Sequence, residues 1–130
     1  MKGFYLLFLK IDKGSVIRIG ALGEIHFHKG YYVYVGSAMG GEKRVFRHFS
    51  RKKHLRWHID YLLNTAEIVG ILFLKGREGD EVRIARRLSR MFQGVKGFGA
   101  GDSPIKSHLF YMGADSHIPL NKVLGGVYID

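Results

Sequence analysis

A chain of 130 residues with 46% hydrophobic side chains and 2 prolines is long enough for one core and too apolar for disorder. Lys and Arg outnumber Asp and Glu by 21 to 11, and the resulting net charge of +10 favours a polyanionic partner, nucleic acid or an anionic membrane surface. Cysteine is absent, which excludes disulfides and thiolate metal sites. Membrane insertion is not expected, because the longest apolar runs, LLFL at 6–9 and GILFL at 70–74, fall far short of the ~20 residues that span a bilayer. The N-terminal MKGFYLLFLKID is broken by Lys10 and Asp12 and lacks a cleavage pattern, so the expectation is a soluble, cytoplasmic single domain over 1–130.

Residues 3–11, GFYLLFLKI, are apolar on both faces and predict a central strand. Short strands follow at 15–20 and 23–28, separated by a Gly20–Gly23 turn. From Tyr31 to Val35 the period of two puts Tyr32 and Tyr34 on one face and Tyr31, Val33 and Val35 on the other, with Gly36 ending the strand. Gly40-Gly41 introduces a helix over about 42–50, and Leu55, His58, Ile59, Leu62 and Leu63 have helical spacing within 54–65. A strand at 67–75 precedes a helix at about 80–92, with Asp80 as its N-cap. A Gly-rich loop at 94–101 leads to a last strand at 107–112, and the tail from Ser116 has no assigned element. This succession predicts an α+β domain: a small, mostly antiparallel sheet flanked by about three helices.

The charge is placed unevenly. Lys43, Arg44, Arg47, Arg51, Lys52, Lys53 and Arg56 occur between 43 and 58 with three histidines and no acid. Arg83, Arg86, Arg87 and Arg90 share one face of the 80–92 helix, where like charges repel by roughly 0.2–0.5 kcal/mol per pair. A solvated face would explain either group alone. Together, poor in acids and on two segments, they point to phosphate binding. Six phosphate contacts would give log K a slope of about −5 against log salt.

Glu81 lies with Ile84, Ala85, Leu88 and Phe92 on the opposite face of that helix, turned toward the core. The helix dipole favours a carboxylate there, but Glu78 and Asp80 meet the same preference. A cleft-facing carboxylate beside a basic surface is the kind of group that holds a divalent metal against a phosphodiester. Arg44 and His48, four apart, present a cation and a proton carrier on one helix face.

The stretch YVGSAMGGEKRVFRHF combines Tyr-x-Gly, an Arg eight residues after that Gly and a His four further on. It resembles the second half of the GIY-YIG endonuclease signature. The longer ordered set GYYVYVGSA, RVFRHF, WHIDYLL, DEVRIARRL and SHLFY is similar to the small Uri-type branch and covers most of the chain. By this resemblance Tyr34 is the tyrosine of the second motif. Tyr5, in Gly3-Phe4-Tyr5, is that of the first, because Gly30-Tyr31-Tyr32 is too close to Tyr34 to form a hairpin with it. The family joins its motif strands by a short loop, whereas 28 residues separate Tyr5 from Tyr34; segments 15–20 and 23–28 then read as an inserted hairpin.

The resemblance implies one-metal phosphodiester hydrolysis, with DNA as the expected substrate. Glu81 would hold Mg²⁺ (or Mn²⁺) and Arg44 would offset transition-state charge, while Tyr5, with Tyr34 and His48, would align or deprotonate the attacking water. Tyr5 and His48 both stand as candidate bases. The family's late Asn has no direct match, and Gln93, Ser107 and His108 are the polar groups available to replace it. The alternative function is a noncatalytic DNA- or RNA-binding module with the same fold. His54 and His58 lack the Glu of a His-Glu-x-x-His zinc site, and Trp57, His26 and His28 read as packing or surface groups.

Overall fold

A computed structural model of the chain describes residues 2–39, 47–49, 57–100, 105–114 and 117–128. Among these residues five strands form one antiparallel sheet in the order β5-β1-β4-β7-β6. They are β1 (Gly3–Ile11), β4 (Gly30–Ala38), β5 (Glu67–Lys75), β6 (Gln93–Gly94) and β7 (Leu109–Gly113). β1 lies between β4 and β5 and is buried along nearly its whole length, as its run of apolar residues on both faces requires. The predicted α+β architecture is observed, with helices α1 (His58–Leu62), α2 (Asp80–Leu88) and α3 (Leu120–Tyr128) around the sheet.

The alternation of β1 and β4 divides the core in two. On one face Tyr5, Leu7, Leu9, Tyr32 and Leu109 pack with Ile59 and Leu62 of α1 and with Phe98 from the glycine-rich loop. On the other, Phe4, Leu6, Phe8, Val33, Val35 and Phe110 pack with Ile84, Ala85 and Leu88 of α2 and Val123 of α3. The side-chain directions expected for Tyr31–Val35 are therefore correct.

The residues between β1 and β4 form a separate two-stranded sheet, β2 (Ser15–Arg18) with β3 (Glu24–Phe27). A single 3-10 turn over Gly20–Leu22 joins them. This hairpin stands outside the main sheet, and β1 and β4 pair directly. It also folds back onto the tyrosine face, where Ile17, Ile19 and Phe27 enter the core.

Several boundaries differ from the sequence expectation. β4 continues past Gly36 to Ala38, because Gly36, Ser37 and Ala38 still pair with Tyr5, Phe4 and Gly3. Within the expected 54–65 helix, α1 occupies only His58–Leu62: Trp57 is extended (φ −109, ψ 160), and 54–56 lie outside the described residues. Of the helix expected at 42–50 only 47–49 are described, as a 3-10 turn. α2 stops at Leu88 rather than 92, and the amides of Met91 and Phe92 both turn back to the Leu88 carbonyl. Asp80 is not the N-cap. Gly79, at φ 91, holds that position, and the Asp80 carboxylate accepts the Arg77 amide at 2.8 Å instead. α3 has no sequence counterpart. No helix among the described residues is long and apolar enough to cross a membrane.

Candidate active site

The antiparallel register sets Tyr5 opposite Gly36 and Leu7 opposite Tyr34, so the two tyrosines are diagonal neighbours on one face of the sheet. Their ring centroids are 6.2 Å apart. Gly36 is required by close approach: a Cβ added there would lie 2.2 Å from Tyr5 Cζ and 2.4 Å from its hydroxyl. The phenol lies across the bare backbone of the Tyr-Val-Gly motif, and its oxygen ends 2.5 Å from His48 Nε2. His48 is 2% exposed, so this hydrogen bond is shielded from water. With the imidazole neutral and Nε2 unprotonated, the phenol donates. The His48 ring also meets Tyr34 edge-on at 6.5 Å and Trp57 at 6.4 Å.

Glu81 reaches this region by a different route. α2 packs on the face of the sheet opposite the tyrosines, yet its N-terminus follows β5 directly. It is therefore delivered to the same end of the sheet as the start of β1, the end of β4 and the start of β7. Glu81 Oε2 is buried and has no hydrogen-bond partner among the described residues. Its electrostatic neighbour is His108, 6% exposed, whose carbonyl accepts the Val35 amide and whose amide donates to Phe98 O, each at 2.9 Å. Burial pushes the His108 imidazole below the usual histidine range; a backbone hydrogen bond at Val35 and the Glu81 charge pull it back up. Of the three candidates for the missing polar group, His108 alone is placed beside Glu81. Gln93 is exposed, and the Ser107 hydroxyl is engaged locally with Leu109 O and N at 2.9 and 3.0 Å.

A glycine links the two groups. Gly99, at φ 68, approaches both Tyr34 and His108 so closely that an added Cβ would sit 3.3 Å from a ring carbon of the first and 3.3 Å from Cβ of the second. The Gly99 amide donates to His58 Nδ1 at 2.8 Å, which fixes the loop to α1 and requires His58 to keep that nitrogen unprotonated. Burial lowers the His58 pKa in the same sense. His58 is thus a structural acceptor, and no cluster of three or more metal-ligating side chains occurs among the described residues. His26 and His28 stack edge-on at 4.8 Å at the exposed side of the hairpin, as a surface reading expects.

The basic residues separate into three groups. Arg44, Lys43, Arg51, Lys52, Lys53 and Arg56 lie outside the described residues. Arg47, expected to meet phosphate, has its guanidinium on Asp60 instead, with Nη1–Oδ1 at 2.8 Å and Nη2–Oδ2 at 3.0 Å. The acid-free run ends only two residues before that acid, and helical folding brings it back. Arg83, Arg86 and Arg90 are exposed and Arg87 is half-buried, with Arg90 just beyond the end of α2. Asp80 Oδ1 lies 3.4 Å from Arg83, a weak surface pair. Sequence reasoning missed Asp60, Trp57 and Gly99 as parts of this region. The aromatic-His-x-Asp spacing in WHID was the available signal for the first two.

Fold and site define a small α+β domain with a buried tyrosine–histidine pair and, at the same end of its sheet, a carboxylate oxygen without a hydrogen-bond partner among the described residues. The chain belongs to the family described as Domain of unknown function DUF123, whose model matches residues 4–124. Comparison with curated proteins and with solved structures found no match.

Proposed function

We propose that this chain is a divalent-metal-dependent endonuclease that hydrolyses nucleic-acid phosphodiester bonds, with DNA as substrate, in the cytoplasm. The observation that carries this reading is the buried 2.5 Å hydrogen bond between Tyr5 and His48, residues from separate elements. A phenol is a poor base at neutral pH, its ordinary pKa being about 10. An imidazole able to take the phenolic proton changes that. His48 accepts at Nε2 as Tyr5 takes a proton from the attacking water, so the pair acts as one base rather than as two competing ones. The hydroxide equivalent adds to phosphorus, the bond from phosphorus to the 3′-oxygen breaks, and the leaving oxygen takes a proton from solvent. Tyr34, beside both rings, orients the water.

The residues present fit a hard cation. Glu81 offers a buried carboxylate oxygen with no hydrogen-bond partner among the described residues, beside a His108 that burial holds toward its neutral form. Glu81 would hold Mg²⁺ or Mn²⁺, which when bound supplies charge neutralisation at the phosphoryl and leaving oxygens. Arg44 is assigned the transition-state charge by motif position, and the Arg83, Arg86, Arg87 and Arg90 group the phosphate backbone.

Labelled duplex, single-stranded and branched DNA, with RNA, incubated in Mg²⁺ or EDTA, test the proposal. Wild type should cut at least one substrate only with metal, Glu81→Gln should bind but not cut, and Tyr5→Phe should lose about 10²–10⁴-fold in rate. Metal-dependent cutting by Glu81→Gln would remove Glu81 from the mechanism. Salt-steep binding without cutting by wild type would establish the noncatalytic module.

A further inference from the structure

We infer that Asp60 and Arg47 are positioning residues that hold both tyrosines of the site through a partly buried ion pair. Asp60 is 0% exposed and accepts three hydrogen bonds: two from the Arg47 guanidinium, at 2.8 and 3.0 Å, and one from the Trp57 amide at 2.8 Å. The guanidinium carbon lies 4.2 Å from the centre of the Trp57 ring, and that ring meets His48. Capping α1 accounts for the Trp57 amide bond, since a carboxylate in the first turn is favoured. It does not account for a bidentate guanidinium brought from 13 residues away onto a carboxylate that is itself sealed from water. Burying such a pair brings little net stability, because desolvation of both ions opposes their attraction. What a fork-on-fork pair does supply is a fixed relative geometry for the two segments that carry it.

Those segments carry the groups that touch the tyrosines. Arg47 is followed in the same 3-10 turn by His48, whose Nε2 shares a hydrogen bond with the Tyr5 hydroxyl. Asp60 stands on α1 two residues after His58, which takes the Gly99 amide and so sets the loop that presses on Tyr34. Fixing the turn to the helix therefore fixes His48 against Tyr5 and Gly99 against Tyr34 together. In this arrangement both charged groups act on the tyrosines through the histidines. The catalytic consequence rests on the nuclease reading, but the geometric one does not.

The imidazole ¹⁵N resonances of His48, measured in wild type, Tyr5→Phe, Asp60→Asn, Arg47→Lys and Asp12→Asn, test the inference. Tyr5→Phe calibrates the change that follows loss of the bond at Nε2. Asp60→Asn and Arg47→Lys should displace the same resonance in the same direction, Arg47→Lys by less because one hydrogen bond to Asp60 survives. Asp12→Asn, which removes only a surface pair with Lys10, should leave it in place. On a cleavable substrate, Asp60→Asn should lower kcat by about 10²-fold with KM nearly unchanged, the signature of misplaced reacting groups. A folded Asp60→Asn protein with a wild-type His48 resonance would overturn the inference, and if that variant does not fold, the same result in Arg47→Lys would do so. Absence of cleavage by wild type would count against the nuclease reading alone, since the resonance still reports on the ion pair.

Discussion

At the scale of single residues, the site depends on an atom that is missing. Gly36 faces Tyr5 across the ladder, and the phenol occupies the space a side chain would fill. Gly36→Ala should therefore force the ring off the strand at a cost of about 1–3 kcal/mol, as overpacking of a filled site does. The loss of cleavage should exceed the loss of stability, because the displaced hydroxyl leaves His48; denaturant titration beside a cleavage assay at a temperature where the variant is folded measures both. Tyr5, Tyr34 and His48 are each singled out in the sequence, and the structure brings their rings together. The other partners of the site were not legible there. That Arg47 is taken by Asp60, that His108 rather than Gln93 or Ser107 neighbours Glu81, and that Gly99 presses on Tyr34 all depend on contacts across many residues of chain, which no local spacing encodes.

At the scale of elements, strands were read better than helices. β1 and β5 have the expected bounds, because each is a run rich in apolar residues whose neighbours break the pattern. α2 is shorter than its periodicity suggests, since the chain must turn at Leu88 to enter β6 and pair with β7. The inserted hairpin was visible as a pair of short strands, but its docking was not. Phe27 is 1% exposed and packs edge-on against Tyr32 at 5.9 Å and Phe98 at 6.4 Å. The hairpin is therefore part of the tyrosine-face core rather than an ornament on it. Phe27→Ala should cost about 3–5 kcal/mol, a value for buried aromatic truncation that chemical denaturation would read directly. A loss well under 1 kcal/mol would mean that the hairpin is dispensable.

At the scale of the whole molecule, stability should depend on pH through two histidines, His58 half-buried and His108 buried. His58 and His108 are both held below the ordinary value of 6.5, so the folded chain binds fewer protons than the unfolded one as pH falls below it. Their contribution is fully present above about pH 6.5 and is lost as pH drops through the lowered folded values; for His58 protonation also removes the acceptor of the Gly99 amide. Tm should thus fall between pH 7.5 and 5, and His58→Gln with His108→Gln should flatten that dependence; an unchanged slope in the double variant would assign it to other groups. The sequence by itself determined the α+β class, the central strand, the pair of short strands that follows it, the direction of each tyrosine in β4 and the excess of positive charge, because these follow from composition and from periods of two and 3.6 that are local in the chain. Only the tertiary structure decided that the tyrosines meet a histidine from another segment, that a carboxylate from the far face reaches the same end of the sheet, and that one arginine of the basic run faces inward. Those outcomes depend on strand register and on where helix ends are delivered, and they are settled by packing over long separations in sequence.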